Sequence, residues 1–203
     1  MARTIVTVSN EYGAGGTAVG NRAARLLGYE VVDEQLPFVV AQRLEISQQD
    51  AEAAEDTRRS VGERMLAGLE RGTPELAIPS LSAALEERYV MEVRNAVLEY
   101  AARGRVVILG RGAGAILGKR PDVLRVFLHA PKAWRIEYVA QLHAIDRKTA
   151  TDEVERVDAA RRAYLRDAYK VAFGDPNEYD LGLDTAQLGH ELCAALICQA
   201  ANA

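Results

Sequence analysis

Residues 4–32 change period twice, and that change constrains the fold more than any composition does. Thr4 to Val8 is a β-branched run, and Tyr29 to Val32 is β-rich again. Between them Thr17 to Leu27 carries Val19, Ala23, Leu26 and Leu27 on one helical face, with Gly28 as a stop. Two strands joined through a helix cannot pair as a hairpin, so they lie parallel in one sheet with a right-handed crossover. Further strands are predicted at Arg105 to Leu109, Leu124 to Leu128 and Tyr179 to Leu183, with long helical patterns among them. Such alternation implies a three-layer α/β domain with Thr4 to Val8 in the middle of the sheet, flanked by the third and fourth strands. Its ligands belong at the carboxyl ends of the strands.

Residues 34–103 contain no strand-like run and read as a helical insertion, broken near "RGTPELAIPS" at residues 71–80. Within it "QQDAEAAEDTRR", residues 48–59, is polar nearly all round and reads as a solvated helix rather than a metal site. The chain has 203 residues, 49% hydrophobic and 27% charged, the balance of a single domain with a real core. A net charge of −4 with no basic stripe argues against a nucleic-acid partner. No apolar span is long enough for a membrane helix and "MARTIVTVSN" does not read as a secretory leader, so a cytoplasmic protein is expected. Cys193 and Cys198 fit neither a metal pair nor a disulfide framework and read as reduced, buried thiols. His129, His143 and His190 are scattered without metal spacing and read as structural or surface residues.

The stretch "TVSNEYGAGGTAVG", residues 7–20, runs from strand through glycines into helix. Successive backbone N–H groups and the helix N-terminus would then point into one concavity, which is an anion site. Gly13, Gly15 and Gly16 around Ala14 let an oxygen approach the backbone, and Thr17 stands where a phosphate-loop hydroxyl meets a metal ion. Against the pattern G-x-x-x-x-G-K-[ST], Asn10 replaces the first glycine and Gly16 the lysine. The alternative is a glycine-rich turn needed only for tight packing. A second glycine cluster, "VVILGRGAGAIL" at residues 106–117, follows the third strand and carries Arg111, whose guanidinium can grip a phosphate or cap a turn.

"SNEYGAGG", "LGYEVVDEQL", "VVILGRGAGAIL", "LRVFLHAPKAWRIEYV", "VDAARRAY" and "YDLGLDT" occur in an order that resembles the cytidylate kinase-like family, a branch of the P-loop nucleoside monophosphate kinases. The resemblance spans almost the whole chain and is weakest over residues 45–85. It implies a P-loop kinase core over residues 1–33 and 104–203 with strand order 2-3-1-4-5. It further implies an acceptor-binding helical region at 34–103 and a helical lid near 145–172. The implied reaction transfers the γ-phosphoryl group of ATP to CMP or dCMP with Mg2+. Its partners are small nucleotides, with a homodimer compatible with such a chain.

By the same resemblance, Asn10, Gly13, Ala14, Gly15, Gly16 and Thr17 form the triphosphate cradle, Thr17 meets the metal, and Asp33 begins the monophosphate region. Arg111 acts as a phosphate clamp. In "RVDAARRAY", Asp158 positions the lid helix while Arg156, Arg161 or Arg162 swing over the phosphates; the same arginines could equally lie on a solvated helix. Asp184 and Thr185 match the strand end near the adenine, and they could also be a helix N-cap. Asn10 and Thr17 stand where this family often has arginine, and Gly110 where better-known monophosphate kinases carry an acid. Three readings are open: a (d)CMP kinase, a non-catalytic nucleotide binder with a regulatory or partner-binding role, and a P-loop kinase for another small acceptor.

Overall fold

The computed structural model describes residues 2–33 and 83–203. Among them five strands form one parallel sheet: β1 (Ile5–Asn10), β2 (Glu30–Val32), β3 (Val106–Leu109), β4 (Val123–His129) and β5 (Leu181–Asp184). Their spatial order is β2-β3-β1-β4-β5, the order that the family resemblance implies, with β1 central between β3 and β4. In the centre Val6 of β1 sits between Val107 of β3 and Leu124 of β4. The helices are α1 (Gly16–Leu27), α2 (Ala83–Arg103), α3 (Ala113–Leu117), α4 (Lys132–His143), α5 (Arg147–Tyr169) and α6 (Thr185–Asn202). Of the predicted insertion at 34–103, residues 83–103 are α2. The break at 71–80 and the polar stretch at 48–59 lie outside the described residues.

Alternation along the central strands sorts their side chains onto two apolar faces. Val6, Val8, Val107, Leu109, Leu124, Val126 and Leu128 are buried against Val19, Ala23 and Ala24 of α1 and Cys193, Ala194 and Ile197 of α6. On the other face Ile5, Val106, Ile108 and Val123 meet Val93, Ala96 and Val97 of α2, Leu117 of α3, and Tyr164 and Leu165 of α5. A third, smaller core joins Tyr12 to Ile136 and Val139 of α4 and Ala150, Val154 and Val157 of α5. This small core fixes the ligand end of the sheet, because it attaches the α4–α5 hairpin to the loop after β1. Cys193 is buried and Cys198 half-buried, and neither is disulfide-bonded; the Cys198 thiol points to the Ala23 carbonyl at 3.6 Å.

Two strand boundaries differ from the sequence expectation by two residues, the others by one or none. β1 runs two residues past Val8, because Ser9 and Asn10 pair with Phe127 and Leu128 of the longer β4. β5 starts at Leu181 rather than Tyr179, because a short 3-10 turn, Pro176–Glu178, capped by Asp175, precedes it. Buried Arg125 within β4 is matched at this point by Asp180: Nε donates to Oδ2 at 3.2 Å and Nη2 to Oδ1 at 2.7 Å. Burial raises the Asp180 carboxyl, but the hydrogen bonds and charge of Arg125 outweigh it and hold the group below its ordinary value.

Candidate functional site

The loop between β1 and α1 closes on itself before the helix begins. Ala14 N donates to Glu11 O at 3.0 Å and Val19 N to Gly15 O at 2.9 Å. Gly15 is the N-cap of α1 in the left-handed region, φ 75°, and offers no side chain to the helix N-terminus. The first N–H groups of α1 are therefore left for a ligand, and no acidic residue stands in the first turn to compete with an anion. A cavity of about 270 Å³ opens directly above them.

Six of the sequence candidates in that loop and at the end of β2 line this cavity: Asn10, Gly13, Gly15, Gly16, Thr17 and Asp33. Arg111 and Arg161 line it as well, so two arginines from distant elements border the same cavity as the glycine loop. Ala14 is buried and is not part of the lining. Thr17 Oγ1 donates to Asp33 Oδ2 at 3.5 Å, placing a hydroxyl and a carboxylate on one wall. Arg111 is 6% exposed and adopts a left-handed backbone, φ 57°, between Gly110 and Gly112, which share that sign. Such a backbone is strained for arginine, and the residue lines both this cavity and a smaller pocket beside it.

The remaining candidates fall elsewhere. Asp158 is buried beneath the loop rather than in the cavity: Oδ1 accepts from Tyr12 N at 2.9 Å and Oδ2 from Arg135 Nη1 at 2.8 Å. Arg156 is exposed on α5. Arg162 is also exposed and lines a different, open cleft of about 840 Å³ together with Asp184, so its neighbour Arg161 alone of the pair faces the cradle. Asp184 is the N-cap of α6, accepting from Ala186 N at 2.9 Å and Gln187 N at 3.2 Å. Thr185 is buried and donates to His129 O at 3.3 Å. Among the described residues no group of three or more His, Cys, Asp or Glu is placed to hold a metal ion by itself, and no helix is long and apolar enough to cross a membrane.

Several contributors were not singled out by the sequence. Arg135, 4% exposed, donates from Nη1 to Tyr12 O at 2.8 Å and from Nε to Ala130 O at 3.0 Å, with Glu11 at 3.2 Å. With Asp158 it satisfies both backbone groups of Tyr12. The Tyr12 hydroxyl donates to Glu153 Oε1 at 2.7 Å and lies 3.3 Å from His143 Nε2. Burial first, then the hydrogen bond and charge of Glu153, push this phenol well above its ordinary value, so it stays a donor. Tyr138, Leu142 and His143 of α4 roof the cavity. Behind Gly15 stands His190, its ring edge-on to Tyr138 and Trp134 and its buried Nε2 without a hydrogen-bond partner among the described residues. Arg135 lies in the "WRIEYV" segment that carried the resemblance, which was the one available signal for it.

Comparison with known proteins agrees with this geometry. A cytidylate kinase from Methanocaldococcus jannaschii is 29% identical over 99 residues, covering 47% of this chain and 55% of that protein. The chain spans about half the length of the curated relatives it matches. An uncharacterised protein from Eubacterium ventriosum has TM-score 0.69 at 18% identity, with 98% of each chain covered. A shikimate kinase from Bacteroides thetaiotaomicron has TM-score 0.54 at 16% identity, with 97% of each covered. These likenesses show a shared fold, that of the P-loop kinases. Residues 5–187 match the model of the cytidylate kinase-like family, and with that match over nearly its whole length the chain belongs to that family.

Proposed function

We propose that the chain is a nucleoside monophosphate kinase that transfers the γ-phosphoryl group of ATP to CMP or dCMP. The observation that carries this reading is the convergence of Arg111 and Arg161 on the cavity above the free N-terminus of α1. Phosphoryl transfer asks little covalent chemistry of a protein; it needs placed positive charge and orientation. The loop N–H groups of residues 13–17 bind the phosphates through the helix dipole and oriented amides. Arg111, seated at the end of β3, binds the same anion from the opposite wall, and Arg161 from α5 meets the charge that develops during transfer. Tyr138, Leu142 and His143 of α4 border the same cavity. Thr17 and Asp33 would hold the magnesium ion, since both present oxygen donors to one wall. Bound there, the ion supplies neutralisation of the triphosphate charge. Acceptor selection is assigned to residues 34–103.

Gly16 and Gly110 favour a second reading, a nucleotide binder without turnover, because a lysine and a carboxylate are missing from the positions they occupy. A panel of nucleoside monophosphates with ATP and magnesium, assayed for ADP formation, separates the two. Acceptor-dependent ADP with CMP or dCMP supports the kinase. Turnover only on another small acceptor moves the assignment to that acceptor. ATP binding without turnover on any of them establishes the binder.

A further inference from the structure

The amino ends of the strands, at the pole of the sheet opposite the cradle, carry a charge imbalance of their own. A cavity of about 140 Å³ there is lined by Arg3 before β1, Lys119 and Arg120 before β4, Arg125 within β4, and Asp180 before β5. Four cations thus face one carboxylate, in a chain whose net charge is −4. The arginines are held in place. Arg3 Nη1 donates to Ala200 O at 2.7 Å, and the Arg3 carbonyl accepts from the Tyr29 hydroxyl at 2.9 Å. Arg120 engages Asp122 through Nε at 3.0 Å and Nη2 at 2.6 Å, and buried Arg125 engages Asp180 through the same two nitrogens. Each guanidinium keeps at least one nitrogen outside these bonds. Exposed Lys119 makes no ion pair among the described residues.

We propose that this cavity is a second anion site, remote from the cradle, that takes the phosphate group of a small ligand. Asp122 and Asp180 offset two of the four positive charges, which leaves Arg3 and Lys119 uncompensated across one concave surface. Like charges held together repel, and an oxyanion between them relieves that repulsion while accepting from guanidinium and ammonium N–H groups. The planar fork of arginine matches phosphate oxygens, and Lys119 adds a point charge at the exposed rim. A long polyanion suits the place poorly, since the cavity is small and the sequence has no basic stripe to continue it. An anion here bonds the segment before β1 to the connection before β4, and through Arg3 to the end of α6. The site shares no lining residue with the cradle, so it stands apart from the choice between kinase and binder.

The test must resolve the two poles, so it follows backbone amide resonances of the full chain titrated with inorganic phosphate and, separately, with methyl phosphate. The amides of Arg3, Lys119 to Arg125 and Asp180 are expected to move saturably at millimolar concentration. Lys119→Glu should weaken binding at this pole about tenfold, while residues 13–17 respond to phosphate as in the parent. Lys148→Glu, the same charge reversal on an exposed residue of α5, should leave the response of Lys119 to Arg125 unaltered. Response to both ligands supports a site for phosphate monoesters, and response to inorganic phosphate alone supports a site for the free ion. Three results overturn the inference: no saturable movement at Lys119 to Arg125, a Lys119→Glu variant that binds like the parent, or a Lys148→Glu variant weakened as much as Lys119→Glu. A thermal melt confirms that each variant is folded, and should Lys119→Glu fail to fold, Lys119→Gln carries the same comparison.

Discussion

Arg161 reaches across from α5 to donate to the carbonyl oxygen of Asn10 at 2.8 Å, with its guanidinium carbon 5.8 Å from the centre of the Tyr12 ring. The arginine is thus anchored on the last residue of β1 while lining the cavity. Arg161→Ala is expected to lower turnover about tenfold or more with a smaller change in ATP affinity, since the charge it meets develops during transfer. Arg111→Ala should instead weaken ATP binding itself by about tenfold. Steady-state kinetics beside calorimetry checks both, and two variants that match the parent would sink the arginine account.

Asp158 is the counter-charge of a buried arginine, so its removal costs more than its own hydrogen bonds. Asp158→Ala leaves Arg135 with Glu11, at 3.2 Å, as its remaining acidic partner among the described residues and frees the Tyr12 N–H. A loss of about 3 kcal/mol in unfolding free energy is expected, read by urea denaturation. The same variant should also bind ATP more weakly, because the loop is no longer held from below.

Gly15 has two independent reasons to be glycine. Its φ is 75°, and a β-carbon would sit 2.3 Å from His190 Nε2. Gly15→Ala should cost about 2 kcal/mol, combining backbone strain with displacement of the ring. Adding His190→Ala removes only the steric part, so the double variant should recover stability partially. Full recovery, or none, would contradict this division.

The Arg125–Asp180 pair makes stability pH-dependent on the acid side. Because the folded state holds the Asp180 carboxyl below its unfolded value, its contribution is present above that unfolded value, about 4, and is lost as the pH falls through the folded one. Asp180→Asn should therefore destabilise the protein by about 2 kcal/mol at pH 7 and flatten the acid limb of its stability profile. Chemical denaturation at pH 7 and pH 3 measures the difference, which should shrink at the lower pH.

What could be read locally was legible in the sequence. The parallel sheet follows from strand–helix alternation while its full strand order came with the family resemblance, and the glycines after β1 lie on adjacent residues whose backbone requirements show in their identities. Arg111 was legible because a strand end fixes where the next side chain stands. The grip on Tyr12 was not: its partners Asp158, Arg135 and Glu153 lie 146, 123 and 141 residues away. Neither periodicity nor composition reports such pairings. Arg161 and Arg162 were indistinguishable as neighbours on one helix, and only the placement of α5 sends one to the cradle and the other to the neighbouring cleft. His190 read as a scattered histidine because its contact with Gly15 depends on the kink at Gly189, φ 72° and ψ 160°, inside α6.

The grip on Tyr12 also sets an order of assembly. The glycine loop is synthesised well before Arg135 and Asp158, yet both backbone hydrogen bonds that shape Tyr12 end on those side chains. Closing so long a stretch carries a loop entropy that is recovered only once α5 docks. The loop around Tyr12 is therefore expected to acquire its shape only once α4 and α5 are in place. A nascent or truncated chain that stops short of residue 158 carries the glycine loop without the geometry to hold an anion.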